Sequence, residues 1–214
     1  MTLHRPSPLW PERSAPLRAS TCAVIFAAVG MACSSTAVAH TGTGLAGGFV
    51  PGFMHPLSGP DHLLAMICVG LWGAFLGPPL IQVLPIVFPV VMVGGAALGM
   101  LAVPVPPVEI GIALSVLVLG GCIALGVRAP VWAASLIVAA FAVLHGYAHG
   151  KELPSAADPI GYSAGFTLAT GALHVAGIGI GCLRDRPGGT LALRSLGGLI
   201  GATGVWFLCR VLAS

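Results

Sequence analysis

Past residue 57 the chain is written in long apolar blocks separated by short polar or proline-rich breaks. The blocks fall at 58–77, 80–102, 108–127, 130–149, 159–183 and 191–212. Each is close to the roughly 20 residues that a helix needs to cross a bilayer. The breaks are Pro78-Pro79, Pro104-Val105-Pro106-Pro107, Ala129-Pro130, Pro154 and the polar run Arg184 to Gly189. Residues 41–57 are apolar and Gly-rich but about half a span long, and read as a short or re-entrant helix leading into the first crossing. The pattern predicts an all-α fold, a polytopic transmembrane helix bundle of about six spans.

The first 39 residues follow another pattern. Arg5, Arg13 and Arg18 stand in a polar stretch with Glu12, the apolar run Ala23–Met31 follows, and Ala37-Val38-Ala39 offers an A-x-A site. Basic region, short apolar core and small-residue site are the parts of a cleavable secretory signal; the alternative is an uncleaved first helix. The expected organisation is a signal peptide at 1–39 and a single transmembrane domain at 40–214. Cleavage after Ala39 exposes His40, whose terminal amine and imidazole together can chelate a metal.

Composition supports lipid as the solvent. Residues that are hydrophobic make up 57% of the chain and charged ones 7%, against roughly 25% charged in soluble domains. The 31 Gly and 18 Pro suit close helix approach and tolerated kinks in a bundle. A net charge of +3 with no dense basic cluster excludes nucleic acid as a partner. Six spans behind a cleaved signal place both termini outside. Arg128, Arg184, Arg186 and Arg194 then face the cytoplasm, with Lys151 and Arg210 opposite, in the sense of the positive-inside rule. The expected location is the bacterial inner membrane, multi-pass, with a periplasmic mature N-terminus. Two groups of three spans are compatible with a 3+3 inverted repeat.

Ionisable groups in apolar segments are costly and mark function. The first cluster is His55-Pro56-Leu57-Ser58-Gly59-Pro60-Asp61-His62. Pro60 suits the first turn of a helix, with Ser58 or Gly59 as its cap, so Asp61 and His62 sit at that helix's N-terminus and His55 lies across the bend. A carboxylate beside imidazoles suits a divalent transition metal. Met66 shares a face with His62, as packing filler or as a thioether ligand. The second cluster is His145-Gly146-Tyr147-Ala148-His149-Gly150-Lys151-Glu152. His145 and His149 are one turn apart, with Glu152 three residues further on the same face; the spacing is not the H-E-x-x-H of zinc proteases. His174, between Gly171 and Gly177, is a ligand or a packing hydrogen-bonder. Glu109 is an interfacial charge or lines a vestibule. Cys68, Cys122, Cys182 and Cys209 lie in separate spans without a C-x-x-C and read as free, buried thiols. No Walker A motif occurs, and no Ser/His/Asp order suggests a hydrolase.

The stretch from Gly52 to Met66, running on to Val69-Gly70, resembles the signature of the HupE/UreJ family. The stretch His145 to Glu152 is similar to that family's second motif. The resemblance covers nearly all of the chain after the signal. It implies nickel or cobalt uptake across the bacterial inner membrane, in the service of hydrogenase or urease maturation proteins as partners. It implies His55, Asp61, His62, His145, His149 and Glu152 as the residues that matter for metal, with His174 as a further candidate; His40 is a candidate only through the cleavage that would expose it. The His-x5-Asp-His spacing departs from the His-x4-Asp-His motif of nickel/cobalt permeases.

Together these features predict a carrier of a divalent transition metal, nickel or cobalt, through a His/Asp-lined intramembrane site near the outer side. No catalytic cofactor or enzyme activity is expected; Ni2+ or Co2+ is the substrate. A homo-oligomer is compatible with the sequence. A membrane metal-binding accessory protein, a proton-relay transporter and an intramembrane metalloenzyme stand as alternatives.

Overall fold

The computed structural model describes residues 45–105, 107–152 and 158–213, with side chains throughout except at residues 45–47 and 152. The expected signal peptide and His40 lie outside the described residues.

Every described regular element is helical. In chain order they are α1 (Leu45–Ser58), α2 (Pro60–Leu76), α3 (Leu80–Met100), α4 (Val108–Leu125), α5 (Val131–Glu152), α6 (Pro159–Gly181), a 3-10 turn (Cys182–Asp185) and α7 (Gly189–Leu212). The breaks anticipated from proline and glycine fall where the helices end. Pro60 is the first residue of α2 behind Gly59, because an N1 proline needs no N–H donor. Asp158 caps α6 by accepting from the Ile160 amide at 3.1 Å, with Pro159 at N1. Gly126 stops α4 at φ 67°, the left-handed conformation that terminates a helix without a Cβ penalty.

Five helices, α3 to α7, are long and apolar enough to cross a membrane. The count rises to six if α1 and α2 are one span: they pass the same test as a pair but meet at an 82° bend around Gly59. The half-length helix and the first span are thus joined at this bend, as a broken span or a re-entrant entry. Large apolar side chains point outward, among them Ile86, Val90 and Val93 on α3. Such a face is unfavourable in water and natural against lipid.

Helices approach closely through glycine. A Cβ on Gly146 of α5 would collide with the Met92 carbonyl of α3, one on Gly70 of α2 with the His174 carbonyl of α6, and one on Gly204 of α7 with the Leu117 backbone of α4. These are the small-residue interfaces by which membrane helices gain packing without a hydrophobic driving force. The pairing is parallel for α3 with α5, where Gly95 meets Val143 and Gly99 meets Tyr147. It is also parallel for α1 and α2 with α6, and antiparallel for α4 with α7, where Gly197 meets Ala124 and Gly204 meets Leu117. At one end of the bundle Arg184 donates to the Phe75 carbonyl of α2, and Arg194 donates to the Ala124 carbonyl of α4 at 2.7 Å. Cations suit helix C-termini.

The cysteines are less uniformly buried than expected. Cys68 is in the core, Cys122 and Cys182 are half-buried and Cys209 is exposed. All four are free thiols.

Candidate metal centre

The break between α1 and α2 builds half of the site. His55 sits in the last turn of α1, and the Ser58 hydroxyl donates to its carbonyl at 2.8 Å. Asp61 and His62 open α2. One Asp61 oxygen accepts from the His62 backbone N–H at 2.8 Å and lies 2.9 Å from His62 Nδ1. A carboxylate only accepts, so Nδ1 carries the hydrogen and Nε2 presents its lone pair. The pair is mostly shielded, with side chains 29% and 13% exposed.

The other half comes from α5. His145 Nδ1 donates to the Phe141 carbonyl at 2.9 Å, within its own helix. The same reasoning leaves its lone pair on Nε2. His149 follows one turn later, and both residues are buried. Close contact of α5 with α3, through Gly146 and Gly150, turns this His-bearing face away from α3's lipid-facing side.

The rings of the two halves meet. Centroids are 4.9 Å apart for His55 and His149, 4.9 Å for His62 and His149, 5.1 Å for His62 and His145, and 6.2 Å for His55 and His62. The contacts are edge-on rather than stacked. Aromatic residues wall the cluster: Phe166 lies 4.1 Å from His149, and Tyr162 6.0 Å from His55. A cavity of about 50 Å³ abuts His149, bounded by Met92, Gly146, Tyr162 and Phe166. His62 Nε2 and His145 Nε2 are buried without a hydrogen-bond partner among the described residues. Two helix C-termini, those of α1 and α5, end beside the rings, and their exposed carbonyls favour a cation there. Asp61 sits at the α2 N-terminus, where a negative charge is favoured. Among the described residues, no group of three or more His, Cys, Asp or Glu is placed to hold a metal ion as it stands.

The predicted residues are thus distributed as follows. His55, Asp61, His62, His145 and His149 are brought together. Glu152 is the last residue of α5, and its side chain lies outside the description, as does His40. His174 is separate: its Nδ1 donates to the Met66 carbonyl at 2.8 Å, and it is fully buried. Met66 is core filler, with its side chain wholly buried. Glu109 lines a distinct cavity of about 390 Å³ with Tyr147 and Lys151, and Lys151 Nζ lies 5.8 Å from the Tyr147 ring. Sequence reasoning missed Phe88, Tyr162 and Phe166. The i, i+4 register of Tyr162, Phe166, Thr170 and His174 would have found two of them; nothing distinguishes Phe88 within its apolar block.

The family of the HupE / UreJ protein matches residues 27–207 of the chain. Protein HupE of Rhizobium leguminosarum bv. viciae is 42% identical over 172 residues, which cover 80% of this chain and 90% of that protein. No solved structure matches.

Proposed function

The chain belongs to the HupE/UreJ family, and on that footing we propose that it carries a divalent transition metal, nickel or cobalt, across the bacterial inner membrane through the imidazole cluster. The observation that supports this best is the convergence of four histidines and one aspartate from three helices, α1, α2 and α5, inside an apolar bundle. A packing network would satisfy its own polar atoms; here the Nε2 atoms of His62 and His145 are buried unpaired among the described residues, and each such atom costs about 1–3 kcal/mol.

The spacing fits a cation. With metal–nitrogen bonds of about 2.0–2.1 Å, two imidazoles on one ion have centroids about 4.5–5.2 Å apart, depending on the angle at the metal. Three of the observed pairs fall in that range, so the rings are close enough for neighbouring imidazoles to share one ion. Asp61 supplies negative charge and fixes the His62 tautomer. An imidazole–carboxylate set without thiolate binds firmly enough to select and loosely enough to release. A discontinuous helix beside the site is the usual transporter arrangement. The mature N-terminus is periplasmic in this reading and the ion enters from that side, with His40 and Glu152 as capture groups. The metal is cargo, not a resident catalyst.

Purified protein in proteoliposomes tests the reading. Time-dependent uptake of radioactive nickel or cobalt, above protein-free vesicles and above zinc and copper, is the expected result. Tight nickel binding with no uptake would instead make the protein a metal-binding accessory factor. Absence of both would remove the metal reading.

A further inference from the structure

Below the four-imidazole cluster the interior is not uniformly apolar. On α6 the residues Tyr162, Phe166, Thr170 and His174 follow one another at i, i+4 spacing, all buried. They therefore form a single stripe on the inner face. The upper two touch the cluster: Tyr162 faces His55, and Phe166 packs on His149. The lower two are polar and have zero exposure. At about 1.5 Å rise per residue, His174 lies about 12 Å further along α6 than Phe166.

Phe88 of α3 touches both levels. Its centroid is 5.5 Å from His145 and 5.3 Å from His174, edge-on to both. The two imidazoles are therefore at most about 11 Å apart and share contact with one phenyl ring. The hydrogen bond from Nδ1 to the Met66 carbonyl accounts for one nitrogen of His174 and ties α6 to α2. It leaves Nε2 with its lone pair. That nitrogen and the Thr170 hydroxyl oxygen are both buried without a hydrogen-bond partner among the described residues. Packing explains Nδ1 and gives no reason for Nε2, and unpaired buried acceptors are exceptions that call for a cause.

We propose that His174 Nε2, with the Thr170 oxygen, forms an inner station for the same divalent cation, and that the Phe88 ring is the partition between this station and the outer cluster. The inference rests on the metal-carrier reading and adds to it the order of events. The ion is held first by His55, His62, His145 and His149, the Phe88 ring turns aside, and the ion passes to His174 in the other half of the bundle. A ring lying between two stations keeps the path closed while either is occupied, so cargo crosses without an open pore.

The test uses the full-length protein in detergent, with nickel chloride as the probe in equilibrium dialysis. Wild type is expected to bind two nickel ions per chain. His174→Asn keeps a side-chain N–H where Nδ1 donates to Met66 and removes Nε2. It is expected to melt like wild type and to bind one ion. In preloaded proteoliposomes Phe88→Ala is expected to raise nickel efflux about tenfold, a change of about 1.4 kcal/mol in the barrier. Phe88→Leu, which preserves bulk, is expected to stay near wild type. One ion on wild type, unchanged in His174→Asn, overturns the inner station and leaves the outer site standing. Unchanged efflux in Phe88→Ala overturns the partition. No nickel on wild type overturns the carrier reading itself.

Discussion

Gly146 sits between the two histidines of α5, and replacing it with alanine probes whether helix packing sets the ring positions. The new methyl carbon would overlap the Met92 carbonyl oxygen and lie 2.9 Å from the Ala96 nitrogen. Against an ordinary separation of about 3.5 Å the nitrogen contact alone is about 0.6 Å too short. Both obstacles are backbone atoms of α3, so no side chain can swing away, and α5 must move off α3. Overpacking of this kind costs about 1–3 kcal/mol, and at about 2 kcal/mol the intact arrangement is depleted about thirty-fold. His145 and His149 flank the displaced residue, and a 1 Å error in a positioned group can cost about 100-fold in activity. Nickel uptake by cells with equal amounts of Gly146→Ala and wild-type protein in the membrane is expected to fall at least about tenfold. The melting temperature of the detergent-solubilised variant is expected to fall with it. Uptake and melting both equal to wild type would refute the claim that the α3–α5 contact positions the site.

Other expectations follow from the same geometry. Asp61→Asn keeps the shape of the side chain but removes the charge and the forced tautomer of His62; nickel affinity measured by equilibrium dialysis should fall about 10–100-fold, the usual effect of losing an orienting carboxylate. His62→Ala should abolish uptake while the protein remains in the membrane fraction, because this ring contacts three of the other imidazoles. Uptake should weaken toward the acid end of a pH series, since a protonated ring has no lone pair for metal. Radioactive nickel uptake across a pH series checks the sign, and a steady rise on acidification would favour proton-coupled symport instead.

Much of the fold was legible because membrane helices are bounded by chemistry that shows in a single sequence. Pro60, Pro78-Pro79, Pro107 and Pro130 start or separate helices for local reasons, and the apolar blocks between them have one solution in lipid. The site was legible in part for a related reason: His and Asp in an apolar block are expensive, so their positions carry information. What could not be read is which face of each helix turns inward. In water a polar face marks the outside; in lipid both faces are apolar, and Val90 or Cys209 on the outside looks like Phe88 or Cys68 on the inside. Phe88 was therefore invisible as a site residue. The bend between α1 and α2 was half visible: Gly59-Pro60 marks it, but only the packing of both helices on α6 shows where the two legs sit in the bundle. His174 was open between ligand and packing residue, and its bond to the Met66 carbonyl, 108 positions away in sequence, is a tertiary fact that no local pattern encodes.

X-ray absorption at the nickel edge on purified, nickel-loaded protein tests the central claim most directly. The account predicts a nitrogen/oxygen shell at about 2.0–2.1 Å, with the outer-shell scattering of imidazole rings that weakens sharply in His62→Ala. A shell dominated by sulfur, or imidazole scattering undiminished in His62→Ala, would contradict it.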